Sequence, residues 1–215
     1  EKLAGLKPES KLAMFWMDLD KFKEVNDSLG HQLGDKLLAE VASRLKDAAP
    51  DGATVARFGG DEFIVLLPKL LQRIDAEEVA NKLLSTIEVP VNVDGRLISI
   101  TPSIGISVFP HDADTADALI KNADTAMYLA KSRGRANHQF FTPAMARAAL
   151  DALVLESQMA LGLARGEFVL HFQPQVRASD GALIGAEALM RWHHPERGLL
   201  MPDAFIELAE QQRLM

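Results

Sequence analysis

The sequence predicts an α+β fold, in which one mixed sheet carries helices on its faces. Short apolar runs typical of buried strands alternate with amphipathic stretches of helical period. Two tight-turn signals, Gly59-Gly60 and Asp94-Gly95, each lie between apolar runs and indicate antiparallel hairpins. With 48% hydrophobic and 25% charged residues, the composition is typical of a soluble globular protein.

Length, charge and residue usage narrow the class of protein. The 215 residues suffice for one or two domains with a hydrophobic core. The net charge of -7 argues against a nucleic-acid partner, since sequence-independent binding of nucleic acid needs basic surface. A small anionic ligand fits, because a divalent metal and a few cations can reverse the field in one cleft. The chain has no cysteine, which excludes disulfides and thiolate zinc sites.

The sequence gives no sign of membrane contact within this chain. Its longest apolar run is far shorter than a membrane span, and residues 1–5 lack a signal-peptide core. The missing initiator Met suggests a piece of a longer protein, which could carry further domains.

The first two-thirds of the chain should form the sheet and its helices. Residues 12–17 are continuous and apolar, which predicts a buried strand that ends at Asp18 and Asp20. Gly34 and Asp35 are expected to open the second helix. The other predicted elements are helices over 21–29, 35–48 and 115–133, a hairpin over 53–67, a helix from a capping box over 75–78, and strands over 90–93, 97–100, 103–109 and 138–141.

A second region begins near Thr142. Thr142 and Pro143 form a good helix start, with an N-cap residue followed by Pro in the first turn, and Gly166 ends that helix. Only 49 residues follow Gly166, which is marginal for an independent core. They predict a strand over 167–173, a hairpin turn at Asp180-Gly181, a strand over 182–189 and a final helix over 202–213.

Carboxylates follow two strands of the predicted sheet. Asp61 and Glu62 lie at the hairpin turn, and Asp18 ends the first strand. Mg²⁺ is held by a few carboxylates and keeps other positions for water and phosphate, and it can lower the pKa of an attacking hydroxyl. Gly59 and Gly60 remove side chains where a nucleotide must approach closely. The pattern therefore favours a metal-dependent nucleotide site.

Each candidate residue also has an ordinary structural explanation. The hairpin could be a surface turn with solvated acids. Lys131 and Arg135 end a predicted helix, where cations interact favourably with the macrodipole. Asp35 could cap a helix, Asn26 could serve a turn, and Phe22 could belong to the core. The residue types alone do not decide between these explanations and a nucleotide site.

Four sequence blocks resemble the signature of GGDEF domains, the diguanylate cyclases. They fall in the family's order and cover roughly residues 12–141. The blocks are 17–27 (MDLDKFKEVND), 29–35 (LGHQLGD), 57–63 (RFGGDEF) and 123–131 (ADTAMYLAK), the last followed by Gly134-Arg135. The resemblance implies a sheet like that of nucleotidyl cyclases and polymerase palms, with flanking helices, over residues 1–141.

The resemblance implies a metal site and a substrate site. Asp18 and the Leu19 carbonyl would bind Mg²⁺ or Mn²⁺. Asp61 would bind the metal and assist deprotonation of the ribose 3′-hydroxyl of GTP, with Glu62 as its catalytic and metal-binding neighbour. The residues that would contact GTP are Asn26 and Asp35 at the guanine edge, the Phe22 and Lys23 backbone at the terminal phosphates, Lys131 and Arg135 at the phosphate tail, and Gly59 and Gly60 beneath the nucleotide.

The chain departs from the GGDEF pattern in two places. The family's front segment, Asp-x-Leu-Thr-x-Leu-x-Asn-Arg, is missing, so residues 1–11 are expected to begin partway through the following helix. Pro50 and Ala53 stand where many members carry a product-binding Arg and Asp. No product inhibition is therefore expected through that site.

Residues 167–215 resemble the start of an EAL domain, the cyclic di-GMP phosphodiesterases, after a linker helix over 142–166. The matching stretches are 168–174 (FVLHFQP) and 187–192 (EALMRW). The resemblance implies that Glu187 binds metal, Arg191 contacts product phosphate and Gln173 lies near the substrate. A (β/α) barrel needs about 250 residues. This fragment would therefore be an incomplete barrel without phosphodiesterase activity, and would expose apolar faces.

The resemblance implies a diguanylate cyclase within a GGDEF-EAL signalling protein. Two GTP would condense into cyclic di-GMP with release of pyrophosphate. Each domain would hold one GTP, so turnover would require a homodimer. Two alternatives stay open: a catalytically silent GTP-binding module that controls the EAL phosphodiesterase, and an inert interaction scaffold. The expected location is the bacterial cytoplasm, either free or as the cytoplasmic part of a parent with sensor or membrane domains.

Overall fold

The strand β1 (Leu12–Leu19) is the centre of the fold. The computed structural model describes residues 11–70 and 72–211, so the expectation about the front of the chain, residues 1–10, lies outside the described residues. β1 is buried along its whole length. Its side chains alternate between two clusters, with Phe15 and Met17 on one face of the sheet and Met14 and Trp16 on the other. Burial on both faces explains the unbroken apolar run.

The rest of the first unit surrounds β1 as an α+β sandwich, as predicted. Its sheet has the order β2-β3-β1-β6-β7, antiparallel except for the parallel pair of β6 and β7. Helices α1 to α3 cover one face and α4 covers the other. The elements are α1 (Phe22–Leu29), α2 (His31–Ala48), β2 (Thr54–Gly59), β3 (Glu62–Pro68), α3 (Arg73–Glu88), β4 (Val91–Val93), β5 (Arg96–Ile98), β6 (Pro102–Phe109), α4 (Ala116–Ser132) and β7 (His138–Phe140).

The predicted start of α2 at Gly34 and Asp35 is wrong. The helix begins at His31, because Gly30 between α1 and α2 has φ 86° and ψ 153°, a conformation that an L-residue rarely adopts. Asp35 is therefore inside α2, one turn from its start, and cannot be the cap of this helix. Its exposed side chain needs another explanation.

The start of α3 was also predicted too late. The helix begins at Arg73, and the Asp75 carboxylate accepts a hydrogen bond of 2.8 Å from the Gln72 backbone N–H. Asp75 is thus the downstream member of a capping box rather than its first residue. The hairpin of β4 and β5 has the predicted turn, with Asp94 and Gly95 both at positive φ.

A second compact unit, Arg147–Met215, contains most of the last helix and the final strands. Helix α5 (Pro143–Ala164) supplies Leu155 and Met159 to a small core with Trp192 and Phe205. The helix expected as a linker thus packs on the strands that follow it. The remaining elements are β8 (Phe168–Val176), β9 (Leu183–His194), β10 (Gly198–Leu200), a 3₁₀ turn (Pro202–Ala204) and α6 (Ile206–Gln211).

The second unit differs from its predicted elements in length. β8 continues through Pro174, because Pro is tolerated on an edge strand, and β9 extends to His194 and pairs with an unpredicted β10. The final helix begins at Ile206, after a 3₁₀ turn, rather than at residue 202, and its expected end at residue 213 lies outside the described residues. The sheet of β8, β9 and β10 is antiparallel, and no closed barrel forms among the described residues. Large apolar side chains are exposed, as expected for an incomplete barrel, with Phe172 66% and Leu183 70% exposed.

No helix in the described part of the chain combines the length and apolar character that a membrane span requires. The longest, α5, carries exposed apolar residues such as Leu150 and Leu153, but its turns also include charged side chains.

Gly105 allows α4 to approach the sheet. A Cβ atom at this position would lie 1.9 Å from the Ala123 carbonyl oxygen and 2.2 Å from the Met127 backbone nitrogen. Because backbone atoms of a helix cannot move like a flexible side chain, we expect Gly105→Ala to lower the free energy of unfolding by about 3 kcal/mol. Urea denaturation followed by circular dichroism measures this change.

Gly59→Ala is the matched control for the Gly105 prediction. Nothing lies within 4 Å of an added Cβ at Gly59, and its φ is not positive. Its free energy of unfolding should change by less than about 0.5 kcal/mol. Equal stability of Gly105→Ala and the wild type would contradict the described packing of α4.

Candidate functional site

Three predicted acids meet at one end of the sheet. Asp18, near the end of β1, lies directly opposite Glu62 at the start of β3. The next residue of β1, Leu19, donates its backbone N–H to the Asp61 carbonyl at 3.3 Å. Two sequence blocks separated by about forty residues are therefore brought side by side by the antiparallel register of β1 and β3.

The hairpin between β2 and β3 presents Asp61 on a tight turn. The register shifts by one residue between Arg57 and Gly59, which is a β-bulge. Gly60 has φ 51°, and the Arg57 guanidinium donates a 2.9 Å hydrogen bond to its carbonyl. At both Gly59 and Gly60, no protein atom lies within 4 Å of an added Cβ. Packing within the protein therefore does not require a glycine at position 59. The absence of a side chain there leaves open space beside the acids.

Asp18 is a buried carboxylate with a cationic partner. Its oxygen lies 2.7 Å from Nζ of Lys131, near the end of α4. Burial raises the pKa of Asp18; Lys131 opposes that rise, while the charges of Asp61 and Glu62 add to it. Burial also raises the pKa of Asp124, and the nearby charge of Lys131 partly opposes that rise. The acids at this end of the sheet thus repel one another, and a cation relieves the repulsion.

The predicted metal ligands have the right chemistry but do not form a preassembled cage. Within residues 11–70 and 72–211, no group of three or more His, Asp or Glu side chains is placed to hold a metal ion. Mg²⁺ commonly uses one or two carboxylates and takes its other ligands from water and substrate phosphate. The oxygen donors of Asp18, Leu19, Asp61 and Glu62 fit such an ion, because Asp18 is desolvated among like charges.

Asp20 differs from Asp18 although Asp18 lies near the end of β1 and Asp20 directly follows the strand. It is only 6% exposed, and both of its carboxylate oxygens accept hydrogen bonds. The donors are the Thr101 hydroxyl at 2.8 Å, the Ser103 hydroxyl at 2.7 Å and the Ala136 backbone N–H at 3.1 Å. With its oxygens engaged by protein donors, Asp20 is a structural anchor rather than a metal ligand. Sequence reasoning noted this acid but gave it no role.

Asn26 and Asp35 lie near each other where α1 and α2 meet. The Asn26 side chain packs against Gly34, where an added Cβ would lie 1.9 Å from Asn26 Oδ1. That oxygen is buried and has no hydrogen-bond partner among the described residues. Buried polar atoms nearly always have partners. A donor from a ligand would therefore satisfy Asn26, and Asp35 is exposed one residue beyond Gly34.

The start of α1 follows a strained residue. Lys21, the residue before the helix, has φ 60°, and no side chain caps the helix start. Phe22 is buried in the core, whereas Lys23 is exposed. The prediction that Phe22 contributes its backbone rather than its side chain is compatible with this burial. The first N–H groups of a helix lack partners within the helix and can bind anions.

The two predicted phosphate cations near the end of α4 have different neighbours. Lys131 points to Asp18. Arg135 is exposed and lines a cleft of about 610 Å³ together with Lys21, Glu24 and Thr101. Arg135 therefore shares a cleft with Lys21, the residue that precedes α1, whereas Lys131 contacts Asp18.

The positions of a product-binding site hold no recognition groups. Pro50 and Ala53 are at the two ends of a turn, in which the Ala53 backbone N–H donates a 3.0 Å hydrogen bond to the Pro50 carbonyl. Neither side chain can bind guanine or phosphate by a polar contact.

The second unit brings its predicted residues onto one sheet. Gln173 of β8 is directly opposite Glu187 of β9, and Arg191 follows four residues later on the same face. The Arg191 guanidinium donates a 2.8 Å hydrogen bond to the Met190 carbonyl. Gln173 and Glu187 are both exposed.

The fold and site define an α+β domain with an acidic hairpin beside a central strand. The chain belongs to the diguanylate cyclase GGDEF domain family, whose model matches residues 2–137. The model of the EAL domain matches residues 155–215. The order of the two matches agrees with that expected from the sequence.

Several known proteins are similar to this chain. It is 42% identical to the bifunctional diguanylate cyclase/cyclic di-GMP phosphodiesterase MucR of Pseudomonas aeruginosa, over 98% of this chain and 31% of that protein. It is 42% identical to the cyclic di-GMP phosphodiesterase NbdA of the same organism, over 93% of this chain and 25% of that protein. An X-ray structure of an EAL/GGDEF domain protein from M. capsulatus matches with a TM-score of 0.61 and 45% identity, covering 66% of this chain and 92% of that one. The chain thus spans a quarter to a third of these curated relatives.

The raised pKa of Asp18 predicts a stability cost at neutral pH. A carboxyl whose folded pKa exceeds its unfolded pKa stabilises the fold below the unfolded value, near 4, and this contribution is lost as pH rises through the folded pKa. We expect metal-free Asp18→Asn to unfold at a higher temperature than the wild type at pH 7.5. The difference should shrink toward pH 4, as measured by scanning calorimetry.

Asp94→Asn is the control for this pH dependence. Asp94 forms an exposed ion pair with Lys36 at a hairpin turn, where Asn is also tolerated. Its unfolding temperature should stay close to that of the wild type at every pH. An Asp18→Asn variant that is less stable than the wild type at pH 7.5 would refute the prediction.

Proposed function

We propose that residues 1–141 form a diguanylate cyclase domain, which condenses two GTP into cyclic di-GMP and releases pyrophosphate. The observation that carries the proposal is the placement of Asp18 opposite Glu62 and beside Asp61, next to two glycines with open space around them. The intact acidic hairpin supports catalysis rather than nucleotide sensing alone.

In this proposal, the acids at the end of the sheet act on the ribose hydroxyl of GTP. Asp18, the Leu19 carbonyl, Asp61 and Glu62 would hold a divalent cation, Mg²⁺ or Mn²⁺. When bound, this ion would lower the pKa of the 3′-hydroxyl and balance charge on the phosphates. Asp61 accepts the proton of the 3′-hydroxyl, and Gly59 and Gly60 let the nucleotide lie against the hairpin. The raised pKa of Asp18 supports this role, because a buried acid among like charges gains from a cation.

The guanine base is proposed to lie between α1 and α2. A guanine N–H can satisfy the buried Asn26 Oδ1 atom, which has no protein partner among the described residues. Asp35, exposed beside it, can accept from guanine N1–H and the N2 amino group. These contacts would distinguish guanine from adenine, because adenine has an unprotonated N1 and no 2-amino group where guanine offers N–H donors.

The phosphates are proposed to extend from the acids toward the start of α1. The backbone N–H groups of Phe22 and Lys23 bind the terminal phosphates. Arg135 reaches the same region from the cleft that it shares with Lys21. Lys131, bound to Asp18 through its ammonium group, neutralises the site and contacts the phosphate tail.

Turnover requires two copies of the domain. Each domain binds one GTP, and each 3′-hydroxyl attacks the α-phosphate of the GTP in the other copy. Neither copy can complete the second bond alone, so the proposed active species is a homodimer with the two hairpins facing each other. GTP and cyclic di-GMP are thus the proposed ligands, and the proposed setting is the bacterial cytoplasm.

A second candidate is a silent GTP-binding module that controls an EAL phosphodiesterase. The similarity to NbdA, whose name gives only a phosphodiesterase, favours it. Under this candidate, the second unit supplies part of the phosphodiesterase site of a longer chain. The proposed site residues are Gln173, Glu187 and Arg191, on the paired strands β8 and β9. Both candidates predict GTP binding, and only the first predicts product.

Asp61→Ala tests the proposed cyclase. With GTP and Mg²⁺, the wild-type chain should release cyclic di-GMP, and Asp61→Ala should lower the rate at least about a hundredfold, because it removes the base and a metal ligand. Anion-exchange chromatography of the products measures both. Asp180→Ala, at an exposed hairpin turn in the second unit, should retain the wild-type rate.

The dependence of rate on protein concentration separates the candidates further. A homodimeric cyclase should show a rate that rises more steeply than linearly below the dimer dissociation constant. GTP binding without product would support the silent module, and a strictly linear rate would contradict the dimer mechanism.

A further inference from the structure

Asp20 is a buried acid that the proposed reaction does not use. It joins three parts of the first unit that are distant in sequence, with donors 81, 83 and 116 residues away. Its Oδ2 atom accepts from both the Thr101 hydroxyl and the Ala136 backbone N–H, and Oδ1 accepts from Ser103. The bond to Ala136 is the one that reaches the loop after α4.

That loop has an unusual backbone. Gly134, Arg135 and Ala136 have φ values of 103°, 62° and 47° in succession. Left-handed conformations cost non-glycine residues about 1–2 kcal/mol each. Two adjacent strained residues persist only when surrounding contacts hold them in place.

The contacts that hold the loop come from two sides. On the helix side, the Arg135 backbone N–H donates to the Ala130 carbonyl, and the Asn137 amide donates to the Ala130 and Arg135 carbonyls. On the sheet side, Asp20 accepts from Ala136. Among these contacts, the Asp20 side chain is the one that connects the strained loop to the end of β1.

The backbone conformation of residues 134–136 determines where the Arg135 side chain lies. It is exposed on the cleft of about 610 Å³, which is also lined by Lys21, Thr101 and Asp20 itself. Within residues 11–70 and 72–211, the Arg135 guanidinium has no hydrogen-bond or ion-pair partner that would fix its position. Its location therefore depends on the backbone to which it is attached.

We propose that Asp20 is a positioning residue, which holds the strained loop of residues 134–136 so that Arg135 can bind the terminal phosphates of GTP. This inference rests on the proposed function, because it takes GTP as the ligand of the cleft. Asp18 and Asp20 then divide two tasks at the end of one strand. Asp18 faces the hairpin and the metal, and Asp20 fixes the cation that meets the far end of the same nucleotide.

The test compares nucleotides with and without the terminal phosphates. The probes are 3′-deoxy-GTP and 3′-deoxy-GMP with Mg²⁺, which lack the attacking hydroxyl and so bind without turnover. Isothermal titration gives their dissociation constants for the wild type, Asp20→Ala, Arg135→Ala and the double variant. We expect Asp20→Ala to weaken 3′-deoxy-GTP about tenfold, the loss of one charge-assisted contact, and to leave 3′-deoxy-GMP within about twofold.

The double variant tests whether Asp20 acts through Arg135. If it does, Asp20→Ala should not raise the dissociation constant for 3′-deoxy-GTP further once Arg135 is replaced. The double variant should therefore bind 3′-deoxy-GTP as tightly as Arg135→Ala alone. Asp20→Asn should restore most of the affinity, because its amide oxygen can occupy the Oδ2 position and accept from Thr101 and Ala136.

Asp112→Ala is the matched control. Asp112 also has a buried carboxylate that accepts from a backbone N–H, that of Val108, but it lies beyond the opposite end of β6. Its loss should leave both dissociation constants unchanged. Should Asp20→Ala fail to fold, it is combined with Thr101→Val and Ser103→Ala, which removes the hydroxyls that would otherwise be buried without an acceptor.

The outcomes separate the inference from the proposed function. Equal binding of 3′-deoxy-GTP by the wild type and folded Asp20→Ala overturns the positioning role and leaves the cyclase intact. Equal weakening of both nucleotides, or additive effects in the double variant, overturns it as well. A wild type that binds neither nucleotide overturns the proposed function, and the inference with it.

Discussion

The fold depends on β1 being buried on both faces between β3 and β6. Its register with β3 sets Asp18 opposite Glu62, and its register with β6 sets the same residue opposite Ser103. A shift of one residue would turn Asp18 to the other face and bury it among the helices α1 to α3. The apolar alternation of β1 therefore fixes both the core and the position of the acids.

The strand end also shows how two similar residues acquire different tasks. Asp18 has one cationic partner and feels the charges of the hairpin acids. Asp20, two residues later, has its oxygens engaged by protein donors. A carboxylate whose hydrogen bonds are satisfied within the protein stabilises structure, whereas one that burial and like charges destabilise gains most from a metal. Environment rather than residue type assigns the roles.

Much of the fold could be predicted because its signals are local. The apolar run of β1 and the glycine turn of the hairpin appear within a few residues of sequence, and both were located correctly. The start of α2 was misplaced because Gly34 looks like a helix opener, yet its role is to make room for Asn26. The contacts of Asp20 could not be predicted, since its donors are 81 to 116 residues away and only the folded sheet brings them together.

The central claim is that Asp18 and the hairpin acids hold one divalent metal together with a nucleotide. Electron paramagnetic resonance of Mn²⁺ tests it most directly, with the wild type and Asp18→Asn each titrated in the presence of 3′-deoxy-GTP. The account predicts that the wild type binds Mn²⁺ saturably and only when the nucleotide is present. Asp18→Asn should bind Mn²⁺ with an affinity at least about tenfold lower. Equal Mn²⁺ affinity in the two proteins would contradict it.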